Sequence, residues 1–208
     1  MLNTQNQYRL VFCTDTTVPG SRIIQALNDN QFIGNSVFSQ ASGNSSEEFF
    51  VGNSFLSAIT FMGCSPYIEF EAPSGLEPND KAEFCFVRFS SSRYKSAMYH
   101  AGQFDELKTV PRCQHCRKII SDWSSQAEEL NTRWQLSCSY CCKDLTPSEL
   151  DWRKASGLGN FFIEVLNVYL QEGVPTEAFL NQLEESSESK WNYFYTNTNL
   201  KTMSLDRT

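Results

Sequence analysis

The stretch FFIEVLNVYL, residues 161–170, is the longest apolar-rich run in the chain, and how it is read decides the fold. Ten residues are about half of what crosses a bilayer as a helix, so the run belongs to a protein interior. Its apolar residues, Phe161, Phe162, Ile163, Val165, Leu166, Val168, Tyr169 and Leu170, cover most of a helical circumference. A helix of that kind must be buried nearly all round. The run therefore predicts a central helix over residues 160–171, ended by Gly173. Glu164, its only charge, would then share an exposed stripe with Asn167 and Gln171.

Working outward toward the C-terminus, Pro175 is placed to open a further helix, with Ala178, Phe179 and Leu183 as its apolar face. Trp191, Tyr193 and Tyr195 alternate as in a strand that could join an N-terminal sheet. Toward the N-terminus, Gly157 and Gly159 should interrupt any helix, and residues 146–149 have the Thr-x-x-Glu form of a helix start. The first half is sheet-like. QYRLVFC (7–13) and AEFCFVRFS (82–90) read as strands, a short helix is expected over 21–28, and a strand, a bend and an extended piece over 52–73. Polar stretches at 35–48 and 72–81 are connections.

The fold class expected from this is α+β: a small, mostly-β N-terminal unit over residues 1–110, and a helical C-terminal part with a final strand over 147–198, packed on the first unit. Residues 199–208 are expected to fray. Between the two units, residues 111–146 hold the chain's strongest chemical signal. Cys113 and Cys116 form one Cys-x-x-Cys, Cys138 and Cys141 a second, with twenty-one residues between the inner cysteines. Two such tight turns facing one another place four sulfurs around a metal ion at about 2.3 Å each for zinc.

Over this segment alone the chain resembles the zinc-ribbon family, whose knuckles read Cys-Pro-x-Cys-Gly. The resemblance implies one structural Zn2+ per chain, held by Cys113, Cys116, Cys138 and Cys141. Gln114 and Ser139 replace the family's Pro, and Arg117 and Cys142 stand where Gly usually relieves a positive φ, at about 1 kcal/mol each if that backbone is kept. His115 and Cys142 are rival ligands, and reduced cysteines without metal are the plain alternative. A redox Cys-x-x-Cys would be expected at a helix start after a strand, in a βαβ setting.

Eight cysteines in 208 residues, with no basic start followed by an apolar run, fit reduced thiols in a cytoplasmic protein better than a secreted disulfide scaffold. Cys13, Cys64 and Cys85 sit among apolar neighbours and read as small core residues. The net charge of −7 is uneven: residues 81–118 hold eight cations against three anions, a surplus of five that leaves −12 elsewhere. Arg93, Lys95, Arg112, Arg117 and Lys118 are the candidate contacts for an anionic partner. Material for an enzyme is scant, since His100 is the only histidine outside the first knuckle and no phosphate loop, dinucleotide fingerprint or Gly-x-Ser-x-Gly occurs.

The expected function is that of a protein-interaction or accessory (adaptor) factor with a structural zinc and a protein partner. Nucleic-acid or nucleoprotein binding through residues 81–118 is the second reading. An enzyme that no motif reveals is the third, and no membrane association is expected.

Overall fold

The computed structural model describes residues 8–16, 18–37, 47–62, 68–71, 84–91, 98–100, 110–123, 136–145 and 149–197. The architecture is mixed α+β. Six strands form the principal sheet: β1 (Arg9–Thr14), β2 (Ile33–Ser36), β3 (Glu47–Val51), β4 (Phe86–Ser91), β5 (Phe161–Leu166) and β6 (Asn192–Thr196). Their order across the sheet is β6-β1-β5-β4-β3-β2, with every neighbouring pair antiparallel. The final strand does join the N-terminal one, with Val11 opposite Phe194.

The expected helix at 160–171 is replaced by β5, one of the two innermost strands. Every residue of Phe161–Leu166 is buried, as is every residue of β1. A strand covered on both faces is apolar along its whole length and loses the period-two alternation that marks a half-exposed one. The same burial that suggested a helix apolar all round is thus met by a strand in mid-sheet. Asn167 ends the strand in the left-handed region, φ 61°, where its backbone N–H donates to the Tyr8 carbonyl and its side-chain amide to the Phe84 carbonyl. The expected start of a helix at 146–149 is likewise not followed by one, because Leu150–Asp151 is extended. Residues 147–198 therefore hold a single helix among the described residues, not a helical bundle.

Helices α1 (Gly20–Asp29) and α3 (Glu177–Ser187) pack on one face of the sheet, and α2 is a single turn, Phe55–Ala58. α3 starts two residues after Pro175, at Glu177, and is capped by Thr176, whose hydroxyl accepts from the Phe179 N–H. Pro175 itself lies in a short ladder, Gly173–Pro175 against Ile59–Phe61. The helices bury Ile23, Leu27, Phe179 and Leu183 against Leu10, Phe12, Val87, Ile163 and Val165 of the sheet. Phe179 stacks on Phe32 at 4.4 Å between ring centres and meets Phe12 edge-on. Each such side chain contributes about 1.5–3 kcal/mol of transfer free energy on burial.

The opposite face alternates in period two, carrying Val11, Cys13, Phe162 and Phe194 in one apolar cluster and Phe84, Phe86 and Leu166 in another. Between them runs a charged row, Glu48, Arg88 and Glu164, directly opposite one another on β3, β4 and β5. Arg9 adds a fourth member from β1, its Nη1 3.0 Å from Glu164 Oε2. Arg88 Nε donates to Glu48 at 2.9 Å, and the Ser90 hydroxyl to Glu164 at 3.0 Å. Glu164 is 1% exposed, so the solvent-facing stripe expected for it is not found. Burial holds the Arg9 guanidinium below its ordinary pKa, and Glu164 opposes that shift.

β4 and β5 are neighbours in the sheet yet seventy residues apart in sequence, and the paired segments between them are nested. Ser91 pairs with Phe161, Met98–His100 with Gly157–Gly159, and Arg112–Cys113 with Leu150–Asp151. Enclosed by the last pair lies Leu136–Ser137 against Asp144–Leu145. The cysteine-rich segment is thus the tip of an interrupted hairpin that leaves the sheet at β4 and returns at β5.

Candidate metal centre

The two Cys-x-x-Cys turns are built alike. In the first, the Cys113 N–H donates to the Lys118 carbonyl at 2.9 Å and the Arg117 N–H to the Cys113 carbonyl at 2.8 Å. In the second, Cys138 N–H meets the Lys143 carbonyl at 2.9 Å and Cys142 N–H the Cys138 carbonyl at 2.8 Å. Each chain leaves its turn through a residue in the left-handed region, Arg117 at φ 59° and Cys142 at φ 52°. These are the two positions where the sequence lacks the family's Gly. Each turn thus carries an L-residue with positive φ.

The turns face one another across their sulfurs. Cys113 Sγ lies 3.7 Å from Cys141 Sγ, Cys116 Sγ lies 3.6 Å from Cys138 Sγ, and all four are within 4.8 Å of one another. Zinc with four sulfurs at about 2.3 Å requires sulfur–sulfur edges of about 3.8 Å. A disulfide would require about 2.05 Å. The four cysteines therefore form a group that can hold a metal ion. Cys142, one residue beyond, is exposed and stands outside the group, and His115 is exposed on the first turn.

The thiols share the same few protons unequally. Burial works against ionisation of Cys138, but the Cys141 and Tyr140 backbone N–H groups and the thiols of Cys116 and Cys141 bring it down to about 7. At Cys141 the Lys143 N–H pulls the same way, and is outweighed by burial and by the thiols of Cys138, Cys113 and Cys116, which push it up to about 12. A bound cation takes the place of those protons, so its affinity must rise with pH.

A small core of its own supports the centre. Cys113, Ile120, Leu136, Cys138, Leu145, Leu150 and Trp152 are buried together, and Trp123 packs edge-on against Trp152 at 4.9 Å. No family model, curated protein or solved structure compared with the chain matches it.

Of the candidate anion contacts, Arg117 and Lys118 are exposed on the first knuckle and Arg112 is half-buried in its strand, while Arg93 and Lys95 lie outside the described residues. Lys143 repeats Lys118 on the second knuckle, a symmetry that aligning the two turns by their cysteines brings out. His115 and Tyr140 occupy equivalent turn positions, and Tyr140 is 66% exposed. His100 lies in the Met98–His100 ladder, opposite Gly157. Cys13 and Cys85 are buried, and burial pushes the Cys85 thiol up, as expected of core residues; Cys64 lies outside the described residues. Among the described residues no helix is long and apolar enough to cross a membrane.

Proposed function

We propose that the protein is an interaction or accessory factor whose cysteine-rich tip is held by one structural Zn2+. The observation that carries this reading is the closed ring of four sulfurs. Soft thiolates favour zinc over magnesium or calcium, and four protein ligands leave no open position at which water could be activated. The ion's work is then to fix a surface. That surface exposes Tyr140 and Ile119, an aromatic and an aliphatic side chain that water does not require there and a protein partner can bury.

Metal analysis of the purified full chain should find one zinc per molecule. A folded, metal-free protein would defeat the reading. Tyr140→Ala and Ile119→Asp should then abolish capture of a protein partner while leaving zinc in place.

Nucleic-acid binding is the second reading, favoured by the cations Arg117, Lys118 and Lys143 on the turns that carry Tyr140 and His115. Phosphate contacts release counterions, so affinity for single-stranded RNA or duplex DNA would fall with salt by about 0.7–0.9 log units per contact and decade. Protein docking that uses the same charges rests on buried anchors and depends less on salt. The acidic remainder of the chain, −12 outside residues 81–118, opposes a long polyanion and favours the protein partner.

A further inference from the structure

Between the first knuckle and the edge of the principal sheet lies a cleft of about 330 Å³. Gln114 lines it from the knuckle, Asp151 and Lys154 from the returning arm, and Trp191, Asn192 and Tyr193 from the start of β6. Among the described residues β6 is an edge strand, paired with β1 on its inner side only. On its outer side the Tyr195 N–H donates to the Lys154 carbonyl at 3.2 Å. Alternate residues of a strand point their N–H and C=O to the same side, so Tyr193 turns its backbone groups outward as Tyr195 does, beside the cleft. Among the described residues no backbone hydrogen bond closes the edge there.

The arm turns beside the strand at a local cost. Arg153 and Lys154 are consecutive left-handed residues, φ 49° and 61°, and the first is braced by Asp151 Oδ1, which accepts from the Arg153 N–H at 2.8 Å. Each such residue costs about 1–2 kcal/mol, and strain of this kind collects where a site is shaped. The turn carries the Lys154 ammonium 4.2 Å above the Tyr193 ring, where it also donates to the Tyr193 hydroxyl. An ammonium has three donors, so others remain for a ligand. Arg153 beside it is exposed.

We infer that this cleft takes an extended peptide of a partner protein, added as a strand to the outer edge of β6 at Tyr193, with an acidic side chain on Lys154. Backbone pairing supplies affinity to an exposed edge and side-chain pockets supply selectivity. The lining contains Glu149 and Asp151 too; Asp151 spends one oxygen on the turn, whereas Arg153 is exposed and Lys154 keeps donors beyond the one on the Tyr193 hydroxyl. This extends the interaction reading to a second surface and does not depend on which metal the cysteines hold.

The test uses the full chain as purified, panned against short random peptides displayed on phage, with the enriched sequences synthesised and labelled. Peptides bearing Asp or Glu in an extended context should be enriched. Lys154→Glu should weaken their binding by about tenfold or more, and replacing the peptide's acid by Lys should restore it on that variant. The Tyr193 amide should gain protection from hydrogen exchange when peptide is bound. Lys154→Met, which keeps the stem over the ring, repeats the test without reversing a charge. No enrichment of acidic peptides, binding unchanged within about twofold in both variants, or an unaltered Tyr193 amide would overturn the inference. Peptides lost on Tyr140→Ala and kept on Lys154→Glu would move docking to the knuckles and overturn this inference alone, whereas a metal-free chain that still binds acidic peptide would overturn only the zinc.

Discussion

Cys138 and Cys142 lie four residues apart in one knuckle, the first buried and in the sulfur group, the second exposed and outside it. Cys138→Ser should therefore lose the metal and the folded tip, because in such sites binding free energy is folding free energy. Cys142→Ser should keep both, and Cys142→Gly, which relieves φ 52°, should raise stability by about 1 kcal/mol. Metal content and denaturation midpoints of the three variants decide it; the opposite ranking would mean that Cys142 is the ligand. Glu164 makes the second case. It neutralises Arg9 directly and approaches Arg88 at 3.9 Å, so Glu164→Ala leaves a buried guanidinium without its charge partner. The expected loss is about 3–5 kcal/mol, a fall of about 1 M or more in the urea midpoint. Arg9→Met with Glu164→Leu should cost less than Glu164→Ala alone, since it removes both charges. The four cysteines were legible because two Cys-x-x-Cys turns are a local pattern that the sequence displays directly. Glu164 was not, because its partners come from two other strands and no local pattern announces a register.

At the scale of elements, the same contrast explains β5. Its residues Phe161, Ile163 and Val165 are the aromatic and β-branched types that strands favour, but full burial on both faces erased the alternation that would have shown it. β6 stayed legible because Trp191, Tyr193 and Tyr195 recur at every second position and exposure still varies along the strand. It is also tied beyond the sheet: the Tyr195 hydroxyl donates to the Gly173 carbonyl at 2.8 Å, joining β6 to the Ile59–Phe61 ladder. Burial, with a smaller contribution from Tyr193, pushes the Tyr195 phenol up to about 12. Because the folded state holds this proton more tightly than an unfolded chain does, its contribution is complete below the ordinary value of 10 and is lost as pH rises toward 12. Stability measured across that window should fall more steeply for the natural chain than for Tyr195→Phe. Equal slopes would mean that the hydroxyl is not buried in a bond.

At the scale of the whole molecule, the nested pairs separate two apolar cores that the linear sequence had placed in series. One lies under the helices and includes Trp191; the other lies around the four cysteines and includes Trp152, with Trp123 against it. The sequence marked the cysteine-rich segment as a central link, but whether the flanking halves form one sheet depends on β4 meeting β5, a pairing with a separation that no window of residues can reveal. A metal on the four cysteines would close only the smaller core, so removing it should loosen the tip before the sheet. Chelation at neutral pH should shift the fluorescence of Trp123 and Trp152 toward that of exposed indole and should do so undiminished in a Trp191→Phe variant. The strand signal in circular dichroism should persist, and urea should then unfold the sheet in a separate, later transition, as expected for units with little shared core. If chelation instead collapses both cores in one step, Arg112–Cys113 against Leu150–Asp151 transmits the loss into the sheet. The metal would then govern the stability of the entire chain, and the cleft beside β6 would close or open with it.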